Sequence, residues 1–267
     1  MVFLRHAVLS FVFDAQKKFK NCTMEYTLSH LGTTGSTNRE AQARIKAGSV
    51  GSNTFLTADY QTEGQGRGSN HWHSEPGKNL LMSWISSPAF LSVRTQFQLS
   101  KAVSLAICDL LVPRVGSAAI KWPNDILVGE RKVCGILIEV NVQGLSIRHA
   151  VTGIGLNVNQ ELFPGFPFPA TSLCLETGRI TEMEPLRDEL IRLLLDRYRE
   201  LEQGDHRQID GAYLSSLYGM GQMRSFRTEG KLIQGEITGL SDTGELLVRS
   251  RGTERSYGMH EITMVPD

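Results

Sequence analysis

The sequence predicts an α+β fold: a mixed sheet with flanking helices, followed by a small C-terminal β-barrel. Three observations point there. Amphipathic helical stripes are interleaved with short apolar or alternating runs between residues 24 and 218. Within that region 125–140 reads as a hairpin turning at Gly129-Glu130, which puts antiparallel neighbours into the sheet. After Gly219 the texture changes to short strands cut by glycine turns, the spacing of a small barrel. The expected organisation is therefore an extension at 1–23, a large domain at 24–218 and a small barrel domain at 219–267.

Taken in order, residues 1–23 are expected to be a loose extension, with Met24 an alternative start. The apolar run 7–13 is too short for a signal sequence, follows Arg5 and His6, and lacks a small-x-small cleavage site. Thr37-Asn38-Arg39-Glu40 reads as a capping box that opens a helix of about three turns closed by Gly48. A second helix is expected over 95–111, where Phe97, Val103, Ile107, Leu110 and Leu111 recur at helical spacing and Pro113 ends the run. A third covers 184–202, with Leu186, Leu190, Leu194 and Tyr198 on one stripe, and a weaker fourth covers 207–218. Strands are expected at 54–58, 79–85, 119–122, 132–140 and 147–158, then at 225–228, 233–240, 245–249 and 255–257.

Composition removes several function classes. With 28 Lys+Arg against 28 Asp+Glu the formal net charge is zero, so there is no broad electrostatic footprint for duplex DNA or anionic lipid, although a local basic groove could still hold phosphates. A 21% charged and 40% hydrophobic chain is ordinary for a packed core. No run approaches the ~20 apolar residues that span a bilayer. Cys22, Cys108, Cys134 and Cys174 form no C-x-x-C pair, which fits neither a zinc knuckle nor a disulfide framework and suits reduced cytosol. Cys108 and Cys134 read as small buried hydrophobes, Met220, Met223, Met259 and Met264 as barrel packing, and His71 and His73 as surface histidines without a third metal ligand.

Four segments could carry chemistry. Glu63-Gly64-Gln65-Gly66-Arg67-Gly68 has glycines that let backbone N–H groups approach an anion, but no helix pattern follows, so a dinucleotide-binding turn is excluded and a plain flexible loop remains open. Gln61 and Arg67 add a bidentate amide and a mobile cation. Lys121-Trp122-Pro123-Asn124-Asp125 crowds a cation, an aromatic, a rigid turn, an amide and a carboxylate together. It could hold phosphate, a polar ring edge and magnesium, or be only a turn beside a core tryptophan. Lys132 begins the apolar strand Val133-Cys134-Gly135-Ile136-Leu137, where a lysine is costly without an anionic partner. Gly135 in mid-strand suggests close approach of another group. Gly153-Ile154-Gly155-Leu156-Asn157-Val158-Asn159 sets amides on one face, able to read a purine edge or simply to end a strand.

Taken together, Ser36-Thr37-Asn38, the stretch from Gln61 to Arg67, Trp72, Lys121-Trp122-Pro123-Asn124-Asp125, the segment from Arg131 to Leu137 and Gly153-Ile154-Gly155-Leu156-Asn157 resemble the motifs of the biotin protein ligases in order and spacing. The resemblance covers about residues 26–265. It implies a catalytic domain related to class II aminoacyl-tRNA synthetases followed by an SH3-like barrel. It also implies an enzyme that joins biotin to ATP as biotinyl-5′-AMP, with Mg²⁺, and passes biotin to a lysine of a biotin carboxyl-carrier protein or domain of a biotin-dependent carboxylase. By that pattern Lys132, Arg67 and Lys121 are catalytic cations and Asp125 holds the metal. Ser36, Thr37 and Gln61 bind the ureido ring. Asn124 and Asn157 read adenine, with Trp72 packed nearby. Asn38, Gly64, Gly66, Gly135 and Gly155 complete the binding set. Gly35 and Gln65 depart from the family pattern, which usually has Asp and Arg there, so loop closure is expected to be looser.

The extension is too short for the DNA-binding domain that some relatives carry, so the expectation is a monofunctional, cytoplasmic ligase, monomer or homodimer, with no DNA or membrane partner. The rivals are a lipoate-protein ligase and a non-catalytic biotin-sensing module.

Overall fold

A computed structural model describes residues 13–17, 24–51, 53–68, 70–165 and 169–266. The larger unit is an eight-stranded sheet in the order β1-β2-β3-β4-β8-β7-β6-β5. Its strands are β1 (Phe13–Lys17), β2 (Tyr26–Thr34), β3 (Thr54–Gln61), β4 (Asn79–Ser86), β5 (Ala119–Lys121), β6 (Asp125–Val128), β7 (Arg131–Gln143) and β8 (Ser146–Asn157). β2 and β3 are parallel and joined by helix α1 (Thr37–Lys46), while the other neighbours are antiparallel, so the sheet is mixed as the hairpin at Gly129 required. Two departures lie at the N-terminal edge. β1 falls inside the expected extension and pairs with β2. β2 carries too little apolar alternation to be read from sequence, because Ser29 and His30 interrupt Tyr26, Leu28 and Leu31; both polar groups are satisfied by partners on α1 and β3, Arg44 for Ser29 and Thr57 and Asp59 for His30.

Strand alternation divides the sheet into two faces. Phe55, Trp84, Ile136, Ile154 and Leu156 face a large core with α2 (Phe97–Val115) and α4 (Met183–Glu202), while Leu56, Ile85 and Val151 pack beneath Ala41 of α1. The short α3 (Leu173–Thr177) and α5 (His206–Ser215) complete the helices. The second helix passes the residue expected to end it: Pro113 sits in its last turn, where it forfeits one backbone bond, and Gly116 at φ 80° stops the helix. The expected capping box at Thr37 is also absent. Ser36 is the N-cap, without a side-chain cap, and the Thr37 hydroxyl is engaged elsewhere.

Five antiparallel strands follow, β9 (Met223–Thr228), β10 (Lys231–Leu240), β11 (Leu246–Ser250), β12 (Thr253–Tyr257) and β13 (Ile262–Met264), in the order β12-β11-β10-β9-β13. Among the described residues no pairing joins β12 to β13, so the expected barrel is an open sheet. Its buried Phe226, Ile237, Val248 and Met264 belong to the same apolar core as the larger unit. Met220 and Met259 pack against that core, whereas Met223 is exposed. The β10–β11 turn docks on the larger unit: the Trp122 indole N–H donates to Gly244 O at 2.9 Å, and a Cβ on Gly244 would lie 2.2 Å from the Phe97 ring.

Gly244 also has φ 88°. Gly244→Ala therefore meets both a left-handed backbone and a filled site, and should lower stability by roughly 2–4 kcal/mol, read as a lower urea midpoint. An unchanged midpoint would mean that this turn does not clamp the two units together.

Candidate functional site

A cavity of about 430 Å³ opens on the α1 face of the sheet, where the ends of β3 and β6–β8 meet the Gly64–Trp72 loop and the C-terminal segment Met259–Met264. That volume is in the range of small-molecule sites. It brings together Ser36, Thr37, Asn38, Gln61, Gly66, Arg67, Trp72, Lys121, Asn124, Asp125, Lys132, Gly135 and Gly155. Gly64 and Asn157 do not line it. Gly64 backs the loop, since a Cβ there would lie 2.6 Å from Trp72 O. Asn157 is buried, donates to Thr171 O at 2.9 Å, and keeps a carboxamide oxygen without a hydrogen-bond partner.

One end of the cavity is ionic. Lys121 and Asp125 are directly opposed across the Trp122-Pro123-Asn124 turn of the β5–β6 hairpin. Asp125 Oδ1 lies 2.7 Å from Lys132 Nζ, and Oδ2 lies 3.8 Å from Lys121 Nζ. Strict alternation from Gly135, the partner of Asp125, would aim Lys132 at the opposite face. A bulge between Ile126 and Leu127 in the β6–β7 register re-aims it, so that its Nζ lies 3.3 Å from a Cβ position on Gly135. Asn124 secures the hairpin, exchanging a side-chain bond to Ile136 O at 3.0 Å and a backbone bond from Ile136 N at 2.9 Å. Arg67 reaches the cavity from the glycine loop and hydrogen-bonds Met259 O, so the C-terminal sheet helps place it.

Electrostatics at this end are those of an anion site. Burial lowers the pKa of Lys121; Asp125 opposes that shift, and the positive charges of Lys132 and Arg67 add to it. Burial likewise lowers Arg67, with Asp125 again opposing. Three cations thus surround one carboxylate, an arrangement that an arriving anion relieves. Cys134 beneath them is an inert thiol, since full burial pushes its pKa far up; Cys108 is pushed up to about 12 by burial.

Trp72 forms the floor. Its indole lies flat on bare backbone: a Cβ would come within 2.9 Å of it at Gly135 and 2.4 Å at Gly155. Lys132 Nζ sits 5.6 Å from the ring centroid, a cation–π contact, and the buried indole N–H has no hydrogen-bond partner. The mid-strand glycines of two separate motifs are thus explained by one side chain.

The other end is uncharged and polar. Gln61 Oε1 accepts from Thr37 N at 2.7 Å and lies 3.0 Å from Thr37 Oγ1, which is 2.7 Å from Ser83 Oγ. No motif marks Ser83 or Glu139 as a site residue, whereas Gly153 lies in a segment already singled out for chemistry. A serine interrupting the apolar run of β4 was the available signal for the first. Gly153 makes room for Asn38, whose Oδ1 would be 2.4 Å from a Cβ there. Met259, His260 and Thr263 of the C-terminal segment also line the cavity, and no motif marked them. His71 and His73 are exposed, and no cluster of three or more His, Cys, Asp or Glu able to hold a metal occurs among the described residues.

Residues 32–157 match the Biotin/lipoate A/B protein ligase family. The chain is 31% identical over 227 residues to the biotin–[acetyl-CoA-carboxylase] ligase of Paracoccus denitrificans, covering 82% of this chain and 92% of that protein. The chain belongs to the biotin protein ligase family. It is also 32% identical over 210 residues to the bifunctional ligase/repressor BirA of Bacillus spizizenii, covering 76% of this chain and 64% of the relative's length. Among solved structures, the biotin protein ligase from Aquifex aeolicus in complex with biotin and ATP superposes with a TM-score of 0.75 at 27% identity, over 93% of this chain and all of that one. No helix among the described residues is long and apolar enough to cross a membrane.

Two outcomes follow from this geometry. An anion restores the lowered pKa of Lys121, so polyphosphate binding should take up a proton, and affinity should fall as pH rises through the free-site value, which lies below the ordinary 10.5. Calorimetry of inorganic tripolyphosphate in buffers of different ionisation enthalpy reads that uptake; binding with no proton uptake at any alkaline pH would contradict it. Gly155→Ala should displace the Trp72 indole and weaken the same binding about tenfold, and an unchanged affinity would show that the indole need not lie on β8.

Proposed function

We propose that the protein joins biotin to ATP, giving biotinyl-5′-AMP and pyrophosphate, and then transfers biotin to a lysine of a carboxyl-carrier domain of a biotin-dependent carboxylase. The observation that carries this reading is the two-ended cavity: three cations around Asp125 at one end and an uncharged hydroxyl–amide pair at the other, spanned by an aromatic floor.

The chemistry needs little else. Biotin's carboxylate is itself the nucleophile. One of its oxygens bonds to the α-phosphorus while the bond to the pyrophosphate oxygen breaks, and charge builds on the phosphate oxygens. In this reading Lys132 spans the acyl and phosphate oxygens, Arg67 closes over them from the glycine loop, and Lys121 meets the departing pyrophosphate. Fixed cations in a partly buried site stabilise such charge without reorganising. In the second step the carrier's lysine amine attacks the acyl carbon, AMP leaves with the bridging oxygen, and the amine's proton is lost to solvent. The loop and the Met259–Met264 segment that receives Arg67 are placed to shield the anhydride from water between steps.

A divalent ion fits here in one way. Asp125 is the one carboxylate among the described residues lining the cavity. That suits Mg²⁺ carried mainly by phosphates and water with a single protein carboxylate, which would offset triphosphate charge when bound. Asn124 faces the cavity for the adenine ring. Asn157 would need the nucleotide, or a shift of the strand end, to reach it.

Biotin is preferred over lipoate because Thr37 and Gln61 offer hydrogen bonds that a ureido ring can use and a dithiolane cannot. The cation cluster argues for turnover over mere sensing. Incubation with a biotin carboxyl-carrier domain, ATP, Mg²⁺ and biotin should raise the carrier's mass by one biotinyl group. Lys132→Ala should slow that reaction roughly 10²–10³-fold. An unmodified carrier, or a Lys132→Ala variant of normal rate, would contradict the assignment.

A further inference from the structure

Beyond Asn157 the chain leaves the side of β7. The β7–β8 register, continued, would set Val158 beside Lys132, but the Val158 N–H turns to Asn79 Oδ1 of β4 at 3.1 Å. The vacated edge is taken by residues from later in the chain. Lys132 N donates to Pro169 O at 2.7 Å, Thr171 N donates to Lys132 O at 2.9 Å, and Ala170 lies opposite Lys132 in a parallel pairing. Without them the N–H and carbonyl of Lys132 would need other partners.

This clip meets β7 at its bulge. On the β6 side Cys134 pairs with Ile126 and Lys132 with Leu127, which leaves Val133 without a strand partner there. Sliding the bulge by one residue would return Lys132 to the opposite face of the sheet. Pairing on the other edge fixes residue 132 itself, and so fixes the face on which its amine emerges beside Asp125.

Thr171 is fully buried and is held by its N–H, carbonyl and hydroxyl together. The N–H goes to Lys132 O, the carbonyl accepts from Asn157 Nδ2 at 2.9 Å, and the hydroxyl donates to Glu176 Oε1. Helix α3 carries Glu176 back over Thr171, and its Oε2 accepts at 2.9 Å from Nη2 of Arg131, the neighbour of Lys132. The Glu176 side chain is only 10% exposed, where a carboxylate is costly without such partners. Neither Thr171 nor Glu176 lines the cavity.

We infer that Thr171 and Glu176 are positioning residues for Lys132: their hydroxyl–carboxylate bond holds 169–171 against β7, and with it the bulge in the register that sends the lysine into the cavity. The inference rests on the role of Lys132 in the ligation reading and adds what keeps that lysine aimed.

The test is isotope exchange between pyrophosphate and ATP by the full chain in the presence of biotin. Thr171→Val nearly keeps the side-chain volume, loses the hydroxyl, and should lower the kcat of exchange roughly 10–10²-fold while calorimetric affinity for biotin stays in place. Glu176→Ala removes the acceptor instead and should do the same, whereas Thr171→Ser should keep most of the rate. Each change is then repeated on Lys132→Ala, where a residue acting through Lys132 has nothing left to place and should cost little further. Should Thr171→Val fail to fold, the Glu176→Ala pair of measurements decides alone. The same loss in both backgrounds, or exchange at the normal rate by the single variants, would overturn the inference and leave the ligation reading standing. No exchange by the unaltered chain with biotin would overturn both.

Discussion

Like charge held at close quarters is the constraint on which this molecule is built. Lys121, Lys132 and Arg67 come from a hairpin, a bulged strand and a glycine loop, and in free solution they would repel one another. Asp125 offsets them, and it sits between the two lysines. Three elements near the cavity hold that cluster together. The β5–β6 hairpin sets Lys121 across from Asp125, the β7 bulge turns Lys132 inward, and the C-terminal segment receives Arg67. Burial lowers the pKa values of Lys121 and Arg67, and Asp125 opposes the shift at both; an arriving anion would oppose it further.

The C-terminal sheet belongs to the site as much as to the fold. Its core is continuous with that of the larger unit, its β10–β11 turn accepts the Trp122 indole N–H, and its last strand with the segment before it walls the cavity. Trp122 lies between Lys121 and Pro123, so the same contact that docks the sheet also braces the cation hairpin. A boundary near residue 219 marks a change of texture along the chain, not a gap in the packing.

Much of this is legible from the sequence, and the exceptions have physical causes. Long helices and apolar strands show because one face of each is buried and the period survives. β2 does not show, because its polar interruptions find partners on α1 and β3 that no local pattern reveals. Pro113 reads as a stop for α2, but a proline in a last turn costs only one bond. At the site, the glycines of the β7 and β8 motifs announce a close approach, and the approaching group is a tryptophan of the glycine loop. Ser83 carries no motif because its contacts with Thr37 and Asn38 arise only where β4 meets α1. Asn157 stays outside the cavity since its amide is committed to Thr171. Sequence thus reports which backbone has to be bare and which charges are costly, while register and bulges decide what meets what.

The central claim is that the cation cluster acts on a triphosphate only when a carboxylic acid of the right ring chemistry occupies the other end. Isotope exchange between labelled pyrophosphate and ATP, run without any carrier protein, measures that first step by itself. Label should enter ATP when biotin is present and stay at background with lipoate or with no acid. Exchange that ignores the acid supplied, or none with biotin at any concentration, would contradict the account.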